Sequence, residues 1–225
     1  MNAALILSGG TGTRMGTDIP KQYVEVGGKP VISYCLDVFE SSEDIDLIVV
    51  VCSEEYRYLI GDMGYGKIKD FANPGKNRQL SILSGLNVLK KHLKDDDGVI
   101  IHDAARPLVS SDTIREIVIG LEKAEAVLPV LPMKDTVYET EGGRVVANLD
   151  RNRISAGQAP EGFVFGKYLK ANEALVPDKI LDISGSMQPA LMHGMDVMSI
   201  PGDERNFKIT TPEDLKKFEE IIGRR

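Results

Sequence analysis

The sequence predicts an α/β domain built on a mostly parallel β-sheet. Short, unbroken apolar runs such as residues 3–7 and 47–52 are typical of strands that are buried on both faces of a sheet. Segments with apolar residues at helical spacing separate these runs, and this alternation is typical of parallel α/β folds. The chain has 225 residues, which is enough to bury a sizeable core in one domain.

Composition excludes several classes of function. The net charge of −7 argues against general nucleic-acid binding, which requires a basic surface. We expect no secretory leader, because Gly9 interrupts the first apolar run, and no membrane span, because no apolar stretch approaches ~18 residues. Cys35 and Cys52 lie in apolar patterns and match no metal-site spacing, so we expect both to be reduced core thiols of a cytoplasmic protein.

The first strand runs into a glycine-rich loop. Residues 5–16 read LILSGGTGTRMG, and the string PKQ follows at 20–22. Glycine lets backbone N–H groups approach a ligand and turn toward it, and such loops bind phosphates. Arg14 and Lys21 add fixed positive charge, the usual complement to a polyphosphate. The alternative is a tight strand-to-helix turn with two solvated cations.

Two known phosphate-binding motifs do not fit this loop. In the dinucleotide fingerprint G-x-G-x-x-G, Gly10 and Gly12 would be followed by a glycine at position 15, but Met15 stands there and Gly16 comes one residue late. The P-loop string with Gly-Lys-Ser/Thr occurs nowhere in the sequence. The spacing therefore disfavours an NAD-dependent oxidoreductase and indicates a nucleotide loop of another kind, or none.

Between this loop and residue 103, apolar periodicity alternates between the strand type and the helix type. In chain order we predict a short strand and turn over 23–30, a helix over 31–39, a strand over 47–52, a weaker helix over 54–62, turn-rich residues 73–78, a helix over 81–93 and a strand over 99–102.

Two charged residues follow the strand at 99–102. In doubly wound sheets the ligand crevice lies at the carboxyl ends of the strands, so Asp103 and Arg106 fall where a site is expected. A helix N-cap is the alternative role for Asp103.

The remaining elements repeat the alternation with one interruption. Residues 134–148 alternate around Gly142 and Gly143, which indicates a β-hairpin, and a hairpin that is marginal alone must pack on its own domain or on another subunit. The other predicted elements are a helix over 113–123 capped by Ser111 or Asp112, a strand over 126–131, a helix over 165–175, a strand over 197–200 and a helix from Thr211 to about residue 222 with a capping-box-like start at Pro212 and Asp214. Residues 181–193 give no clear pattern.

Seven short segments, each weak alone, occur in a specific order. They are the loop over 7–16 with Arg14, the string at 20–22, residues 75–81 with one spacing difference, the complete HDAARP at 102–107, Asp135-Thr136, Arg151, and NFKIT at 206–210. In this order they resemble the cytidylyltransferase family that includes the 2-C-methyl-D-erythritol 4-phosphate and ribitol-5-phosphate enzymes. The resemblance covers nearly the whole chain.

The resemblance implies a single Rossmann-like nucleotidyltransferase domain over residues 1–225, with a β-hairpin arm protruding at about 134–153. It implies transfer of CMP from CTP to a polyol phosphate, with Mg²⁺ as cofactor, giving a CDP-polyol and pyrophosphate. We expect 2-C-methyl-D-erythritol 4-phosphate, an isoprenoid precursor, as the acceptor; the alternative is ribitol 5-phosphate, for CDP-ribitol in cell-wall or capsule polymers. A catalytically silent paralogue is a further alternative. Relatives also imply a homodimer that exchanges its arms.

Site residues follow from the same resemblance. Arg14, Lys21 and Lys208 are expected to be catalytic, and Asp103 is expected to hold the metal. The expected nucleotide-binding residues are Leu7, Ser8, Gly9, Gly10, Gly12, Thr13, Gly75, Asn77, Ser81, Asp103 and Ala104. The expected acceptor-binding residues are Arg106, Asp135, Thr136, Arg151 and Lys208.

Two stretches depart from the family pattern, both on the acceptor side. Where relatives carry Gln-Thr-Pro-Gln, this chain has Gln158, Ala159, Pro160 and Glu161, so a threonine hydroxyl that would help to hold the acceptor phosphate is missing. The Thr-Asp motif of relatives finds only a poor counterpart at residues 181–184. The motifs therefore indicate the reaction type more strongly than the acceptor.

Overall fold

Strands and helices alternate along the computed structural model, which describes residues 1–10 and 19–224. In chain order the strands are β1 (Asn2–Leu7), β2 (Glu25–Val26), β3 (Lys29–Pro30), β4 (Leu47–Val51), β5 (Ile68–Ala72), β6 (Gly98–Asp103), β7 (Ala126–Pro132), β8 (Val137–Glu141), β9 (Arg144–Leu149), β10 (Ser155–Gly157), β11 (Glu161–Val164) and β12 (Val197–Pro201). The α-helices are α1 (Val31–Ser41), α2 (Glu54–Gly61), α3 (Arg78–Leu89), α4 (Ser111–Leu121), α5 (Phe165–Glu173), α6 (Met187–Met192) and α7 (Pro212–Ile222).

One mostly parallel sheet forms the middle layer. Within the described residues its strand order is β10-β7-β11-β6-β1-β4-β5, and β12 pairs with β7. The pairs β1–β4, β1–β6, β4–β5 and β7–β12 are parallel, whereas β10 and β11 run antiparallel to their neighbours. The predicted α/β class with a mostly parallel sheet is confirmed.

Helices cover both faces of this sheet because successive strand residues point to opposite faces. Leu5 of β1 joins a core that includes Leu86 of α3 and Tyr168 of α5. Ile6, its neighbour, joins the other core with Leu36 of α1 and, from α4, Ile114. A strand buried on both faces needs apolar residues throughout, which explains the unbroken apolar runs that predicted β1, β4 and β6.

Local sequence signals account for several element boundaries. Helix α3 begins at Arg78, earlier than predicted, because the side chain of Asn77 accepts a hydrogen bond from the Leu80 N–H at 2.8 Å. The predicted cap of α4 is wrong: Ser110, rather than Ser111 or Asp112, accepts the capping bond from Thr113. 

The predicted bounds of α7 and its capping box are confirmed. The Thr211 side chain accepts from the Asp214 N–H, and the Asp214 carboxylate accepts from the Thr211 N–H.

Sequence periodicity missed three strands and gave no prediction for residues 181–193. Strand β5 carries Lys69 and Asp70 and lies at the edge of the sheet, so it lacks an unbroken apolar run. Strands β10 and β11 have three and four residues, too few for periodicity to register. The unpredicted stretch after residue 178 forms a 3₁₀ turn, Lys179–Asp182, followed by α6.

The predicted hairpin exists and is an insertion in the sheet. Strands β8 and β9 form a separate two-stranded sheet, joined by Gly142 and Gly143 with φ of 54° and 78°. Glycine adopts these positive φ values without steric cost. The chain leaves the central sheet after β7 and returns through β10, which pairs antiparallel with the same strand.

Cys35 and Cys52 are unpaired and fully buried, as predicted. Within residues 1–10 and 19–224, no helix is both long enough and apolar enough to cross a membrane.

Candidate active site

The carboxyl ends of β1 and β6 meet at one edge of the sheet, where Leu7 pairs with Asp103. Strand β1 continues into the glycine loop, and β6 continues into the turn that carries Asp103, Ala104 and Arg106. Two motifs that lie about ninety residues apart in sequence are thereby brought side by side, as expected for a site at the carboxyl ends of parallel strands.

The described part of the glycine loop is fixed by the residues that follow it. The Gln22 amide nitrogen donates hydrogen bonds to the carbonyl oxygens of Ser8 and Gly10, both at 2.8 Å. The Ser8 hydroxyl donates to the Tyr23 hydroxyl at 2.8 Å. At Gly9 an added Cβ would lie 2.4 Å from Cβ of Pro74, so any larger residue would displace the loop. The string at 20–22 therefore shapes the loop as well as contributing Lys21, which begins the 3₁₀ turn Lys21–Tyr23.

A cleft of about 240 Å³ opens beside this loop. Its described lining consists of Ser8, Gly9, Gly10, Pro20, Gln22, Tyr23, Ser53, Glu55 and Tyr56. The rings of Tyr23 and Tyr56 stack at 3.8 Å between centroids and form one wall. The predicted residues Gly12, Thr13 and Arg14 lie outside the described residues.

Asp103 is surrounded by cationic side chains from three parts of the chain. Its Oδ1 accepts hydrogen bonds from Nε and Nη2 of Arg78, at 3.2 and 3.1 Å. Its Oδ2 accepts from Nζ of Lys208 at 2.9 Å and lies 3.9 Å from Nε of Arg106. We call these four residues the Asp103 cluster.

The Asp103 cluster carries more positive than negative charge. Burial raises the pKa of Asp103, but the charges of Arg78 and Lys208 outweigh burial and hold that pKa well below its usual range. The carboxylate is therefore ionised, and its single negative charge faces three cations. A surplus of fixed positive charge at a partly buried edge is suited to phosphate groups.

Sequence reasoning missed Arg78 as a site residue. It is the first residue of α3 and belongs to the same segment, 75–81, that supplied three predicted nucleotide-binding residues. Arg78 is the arginine of the motif at residues 75–81, and this match could have identified it as a site residue. Only the structure shows that this arginine reaches Asp103 on a strand 25 positions away.

The turn after β6 is locked by His102 and Asn206. Nε2 of His102 lies 2.9 Å from the Arg106 carbonyl oxygen, and because a carbonyl only accepts, this nitrogen carries the proton. Burial lowers the pKa of His102 to about 4, so the imidazole is neutral at pH 7. Nη1 of Arg106 donates to the Asn206 carbonyl oxygen at 2.8 Å, and the Asn206 amide donates to the Ala159 carbonyl at 2.8 Å.

Lys208 reaches Asp103 because the loop that carries Lys208 runs along the turn after β6. The Ile209 N–H donates to the Ala105 carbonyl oxygen at 2.8 Å. At the far end of the loop, the capping box of α7 fixes Thr211. Together with the bonds of Asn206 on the other side of Lys208, these contacts limit the positions that its ammonium group can take.

Gly75, Asn77 and Ser81 are brought together before α3. The Gly75 N–H donates to the Ser81 hydroxyl at 3.0 Å, and that hydroxyl donates to the Asn77 carbonyl at 2.9 Å. The Asn77 amide also donates to the carbonyl oxygens of Ile180 and Leu181, at 3.0 and 3.3 Å. These contacts organise the turn; a role in nucleotide binding stays a prediction.

Three predicted acceptor residues lie at the base of the hairpin. Asp135, Thr136 and Arg151 are all exposed, and Nη1 of Arg151 donates to the Lys134 carbonyl oxygen at 2.8 Å, which joins the two ends of the arm. Their part in acceptor binding stays a prediction. 

Glu161 is a buried acid that the sequence singled out only as a departure. It is the first residue of β11 and pairs with Ile101 of β6, two residues before Asp103. Its carboxylate accepts a hydrogen bond from the buried Ser186 hydroxyl. Burial raises the pKa of Glu161 to about 7, an increase that Asp103 supports and that Arg78, Arg106 and Lys208 partly offset.

Asp103 is the candidate for a metal ligand. In the described ranges, no three His, Cys, Asp or Glu side chains converge into a preformed metal site. Mg²⁺ is commonly held by one or two carboxylates together with substrate phosphates and water. A single ionised carboxylate at this edge fits an ion that arrives with a polyphosphate.

The chain is similar to proteins of one family over nearly its whole length. The family model described as IspD: 2-C-methyl-D-erythritol 4-phosphate cytidylyltransferase matches residues 2–224. A 2-C-methyl-D-erythritol 4-phosphate cytidylyltransferase from Rubrobacter xylanophilus is 35% identical over 99% of this chain and 95% of the relative. A ribitol-5-phosphate cytidylyltransferase from Streptococcus agalactiae is 31% identical over 100% of this chain and 97% of the relative.

Solved structures agree with the sequence comparison. The crystal structure of 4-diphosphocytidyl-2C-methyl-D-erythritol synthase from Anaerococcus prevotii superposes with a TM-score of 0.83 at 26% identity, covering 100% of this chain and 96% of that one. The 2-C-methyl-D-erythritol 4-phosphate cytidylyltransferase of Francisella tularensis gives a TM-score of 0.82 at 28% identity, covering 97% and 98%.

Proposed function

Because the chain belongs to the 2-C-methyl-D-erythritol 4-phosphate cytidylyltransferase family, we propose that it transfers CMP from CTP to 2-C-methyl-D-erythritol 4-phosphate. Membership places it among nucleotidyltransferases and argues against the NAD-dependent oxidoreductase that the glycine spacing had already disfavoured. The observation that best supports the reaction is the Asp103 cluster, with its surplus of positive charge at the carboxyl ends of β1 and β6.

The reaction exchanges one phosphoanhydride bond for another. An oxygen of the acceptor phosphate attacks the α-phosphorus of CTP, the bond from that phosphorus to the bridging oxygen breaks, and pyrophosphate leaves with the electron pair. Both reactants are anions, so much of the barrier is electrostatic repulsion. Catalysis then requires positioning and fixed positive charge, with no nucleophilic side chain.

Residues of this chain supply that charge from several directions. Lys208 is held by Asp103 beside the carboxyl end of β6, where it would bridge the acceptor phosphate and the α-phosphate. Arg14 and Lys21, which flank the glycine loop in sequence, would brace the triphosphate and the leaving pyrophosphate. Arg106, fixed through the Asn206 carbonyl, would face the acceptor phosphate.

Asp103 would hold Mg²⁺ together with phosphate oxygens of CTP. The ion, when bound, neutralises part of the phosphate charge. Because Asp103 already pairs with Arg78 and Lys208, metal binding at this carboxylate would weaken one of these ion pairs and free a cation for the phosphates. The low pKa of Asp103 keeps it ready to bind a cation at neutral pH.

We further propose a homodimer in which the arms are exchanged. Within the described residues, β8 and β9 pair only with each other, and two strands alone are marginal in water. Tyr138, Val145 and Val146 on the arm are 54%, 65% and 52% exposed, which favours cover by another surface. A two-fold axis would bury both arms at once and carry Thr136 and Arg151 into the partner's acceptor site.

Ribitol 5-phosphate is the second candidate acceptor. Relatives named ribitol-5-phosphate cytidylyltransferase match the full chain at 31% identity. Ala159 also lacks the hydroxyl that the family pattern places beside the acceptor phosphate. Both observations concern the acceptor and leave the CTP half of the reaction unchanged.

Pyrophosphate release, measured with CTP and a panel of polyol phosphates, tests the proposal. We expect release with 2-C-methyl-D-erythritol 4-phosphate and a higher melting temperature with CTP but not with NAD. Faster release with ribitol 5-phosphate would identify ribitol 5-phosphate as the acceptor instead. Binding of CTP without release from any polyol phosphate would favour the catalytically silent paralogue.

We also propose that the protein acts in the cytoplasm. Both cysteines are buried and unpaired, which is typical of proteins in reducing compartments.

A further inference from the structure

A buried hydrogen bond joins the acceptor side of the site to a segment that has no assigned role. The Ser186 hydroxyl donates to the carboxylate of Glu161, and both side chains are buried. Ser186 lies between the 3₁₀ turn Lys179–Asp182 and α6. Glu161 stands beside the Asp103 cluster, since it pairs with Ile101 on the same strand as Asp103.

Other hydrogen bonds tie the same segment to the start of α3. The Tyr168 hydroxyl donates to the Ser186 carbonyl oxygen at 2.6 Å, and the Gln79 amide donates to the Tyr168 hydroxyl at 3.1 Å. Gln79 directly follows Arg78 of the Asp103 cluster. The bonds from Asn77 to the carbonyl oxygens before this segment add a second tie to α3.

These bonds differ in what they hold. Tyr168 binds the backbone carbonyl of Ser186, and Asn77 binds the carbonyls of residues 180 and 181, so these bonds hold the backbone. The bond between Glu161 and Ser186 joins two side chains and links this segment to β11, next to the strand that carries Asp103. Removing it would let residues 183–187 move relative to that edge while the other anchors remain.

We propose that Glu161 is a specificity-determining positioning residue: through Ser186 it holds residues 183–187 against the Asp103 cluster and so sets the space available to the polyol of the acceptor. The proposal rests on the proposed function, since it takes Arg106 and Lys208 to bind the acceptor phosphate. The segment before α6 then takes part in choosing the acceptor.

Charge complementarity supports this placement. Glu161 lies within electrostatic reach of Arg78 on α3, Asp103 on β6, and the loop residues Arg106 and Lys208. A buried acid surrounded in this way is stable only when its oxygens are satisfied, and Ser186 satisfies one of them. The carboxyl group is thus confined to one position and can form one wall of the space that the acceptor polyol would occupy.

The test compares three variants by steady-state kinetics with CTP and the two acceptors. Ser186→Ala and Glu161→Ala each remove the bond, and we expect each to raise the KM for the preferred acceptor about tenfold, because the segment beside the acceptor is no longer held in one position. Both should lower the ratio of the kcat/KM values for the two polyol phosphates. The KM for CTP should stay within about twofold of the wild-type value. Glu161→Gln keeps an oxygen that accepts from Ser186, so we expect it to retain most of the wild-type preference.

The double variant and a matched control sharpen the result. If Glu161 acts through Ser186, the double variant Glu161→Ala with Ser186→Ala should be no worse than either single variant. Ser41→Ala is the control, because the Ser41 hydroxyl donates to the Val38 carbonyl oxygen within α1 and contacts neither Glu161 nor residues 183–187. This variant should leave the acceptor KM unchanged.

Hydrogen exchange over residues 183–187 gives a readout that does not depend on activity. We expect faster exchange in Ser186→Ala and Glu161→Ala and near wild-type exchange in Glu161→Gln, which also serves if Glu161→Ala fails to fold. Additive kinetic effects, or a Glu161→Gln variant as impaired as Glu161→Ala, would overturn the proposal in favour of a purely electrostatic role. If the wild type transfers CMP to no polyol phosphate, the proposed function fails, and unchanged exchange in Ser186→Ala would refute the anchoring separately.

Discussion

Lys208 and Asp103 are 105 residues apart in sequence, and a 2.9 Å salt bridge joins them at the carboxyl end of β6. In the proposed mechanism this ammonium group would be in place at the sheet edge before substrates bind. Such preorganised charge stabilises a transition state without reorganisation at the moment of reaction. The pair places a lysine of the loop before α7 at the carboxyl end of β6.

Replacing Lys208 by alanine should lower kcat by ~10²–10³, since this is the usual effect of removing one preorganised charge. Lys216→Ala is a matched control, because Lys216 is an exposed lysine of the nearby helix α7. Circular dichroism and the melting temperature would verify that both variants fold. A Lys208→Ala enzyme within a few-fold of wild-type kcat would exclude the lysine from catalysis.

Asp103→Asn preserves size but removes the charge that orders the cluster. We expect activity to fall steeply and the dependence of the rate on Mg²⁺ concentration to weaken, because an amide binds Mg²⁺ poorly. Titration of Mg²⁺ at fixed CTP measures this. Full activity at the wild-type Mg²⁺ concentration would show that the carboxylate serves structure alone.

His102 should make stability depend on pH. Its folded-state pKa of about 4 lies below the ordinary value of 6.5, so the unfolded state binds the proton more readily between these values. The stabilisation is fully present above pH 6.5 and is lost as pH falls toward 4, by about 3 kcal/mol in total. 

Glu161 has the opposite effect over much of this range, because its raised pKa removes stability as pH rises toward 7. The measurement is therefore the difference in unfolding free energy between wild type and His102→Asn at pH 7 and pH 4.5. We expect the difference to shrink at the lower pH. His193→Gln, which changes an exposed histidine after α6, is the control. An equal difference at both pH values would contradict the assignment.

Ala159→Thr restores the hydroxyl of the family pattern beside the acceptor. A hydrogen bond to a charged group contributes ~1.5–3 kcal/mol, so the KM for the true acceptor should fall about ten- to hundredfold if its phosphate binds as in relatives. The KM for CTP should not change. Unchanged or weaker acceptor binding would instead indicate a rearranged pocket around the buried residue 159.

Mixing two inactive variants tests the exchanged arms. Lys21→Ala removes a charge from the CTP side, and Arg151→Ala removes one from the arm. In a dimer with shared sites, one of the two sites in a mixed dimer carries neither change, so activity should return in part. Light scattering that shows a monomer at assay concentration, or mixed dimers that form yet stay inactive, would defeat the model of shared sites.

Periodicity predicted the elements that are buried on both faces and failed for those that are not. Strands β1, β4 and β6 are unbroken apolar runs because neighbouring helices cover both sides of them. Strand β5 at the sheet edge and the short strands β10 and β11 carry no such signal, since an edge strand tolerates charge and three or four residues contain no full pattern.

Motifs identified the chemistry, and their order identified the family, but neither revealed how the site is assembled. The sequence by itself determined the sheet, the glycine loop, the family, and most of the charged residues at the strand ends. Tertiary structure alone decided that Arg78 and Lys208 meet on one carboxylate, and that Glu161 is buried against Ser186. The physical reason is that local patterns record which face of an element is apolar, whereas the pairing of charges depends on distances between residues that only the packed sheet brings together.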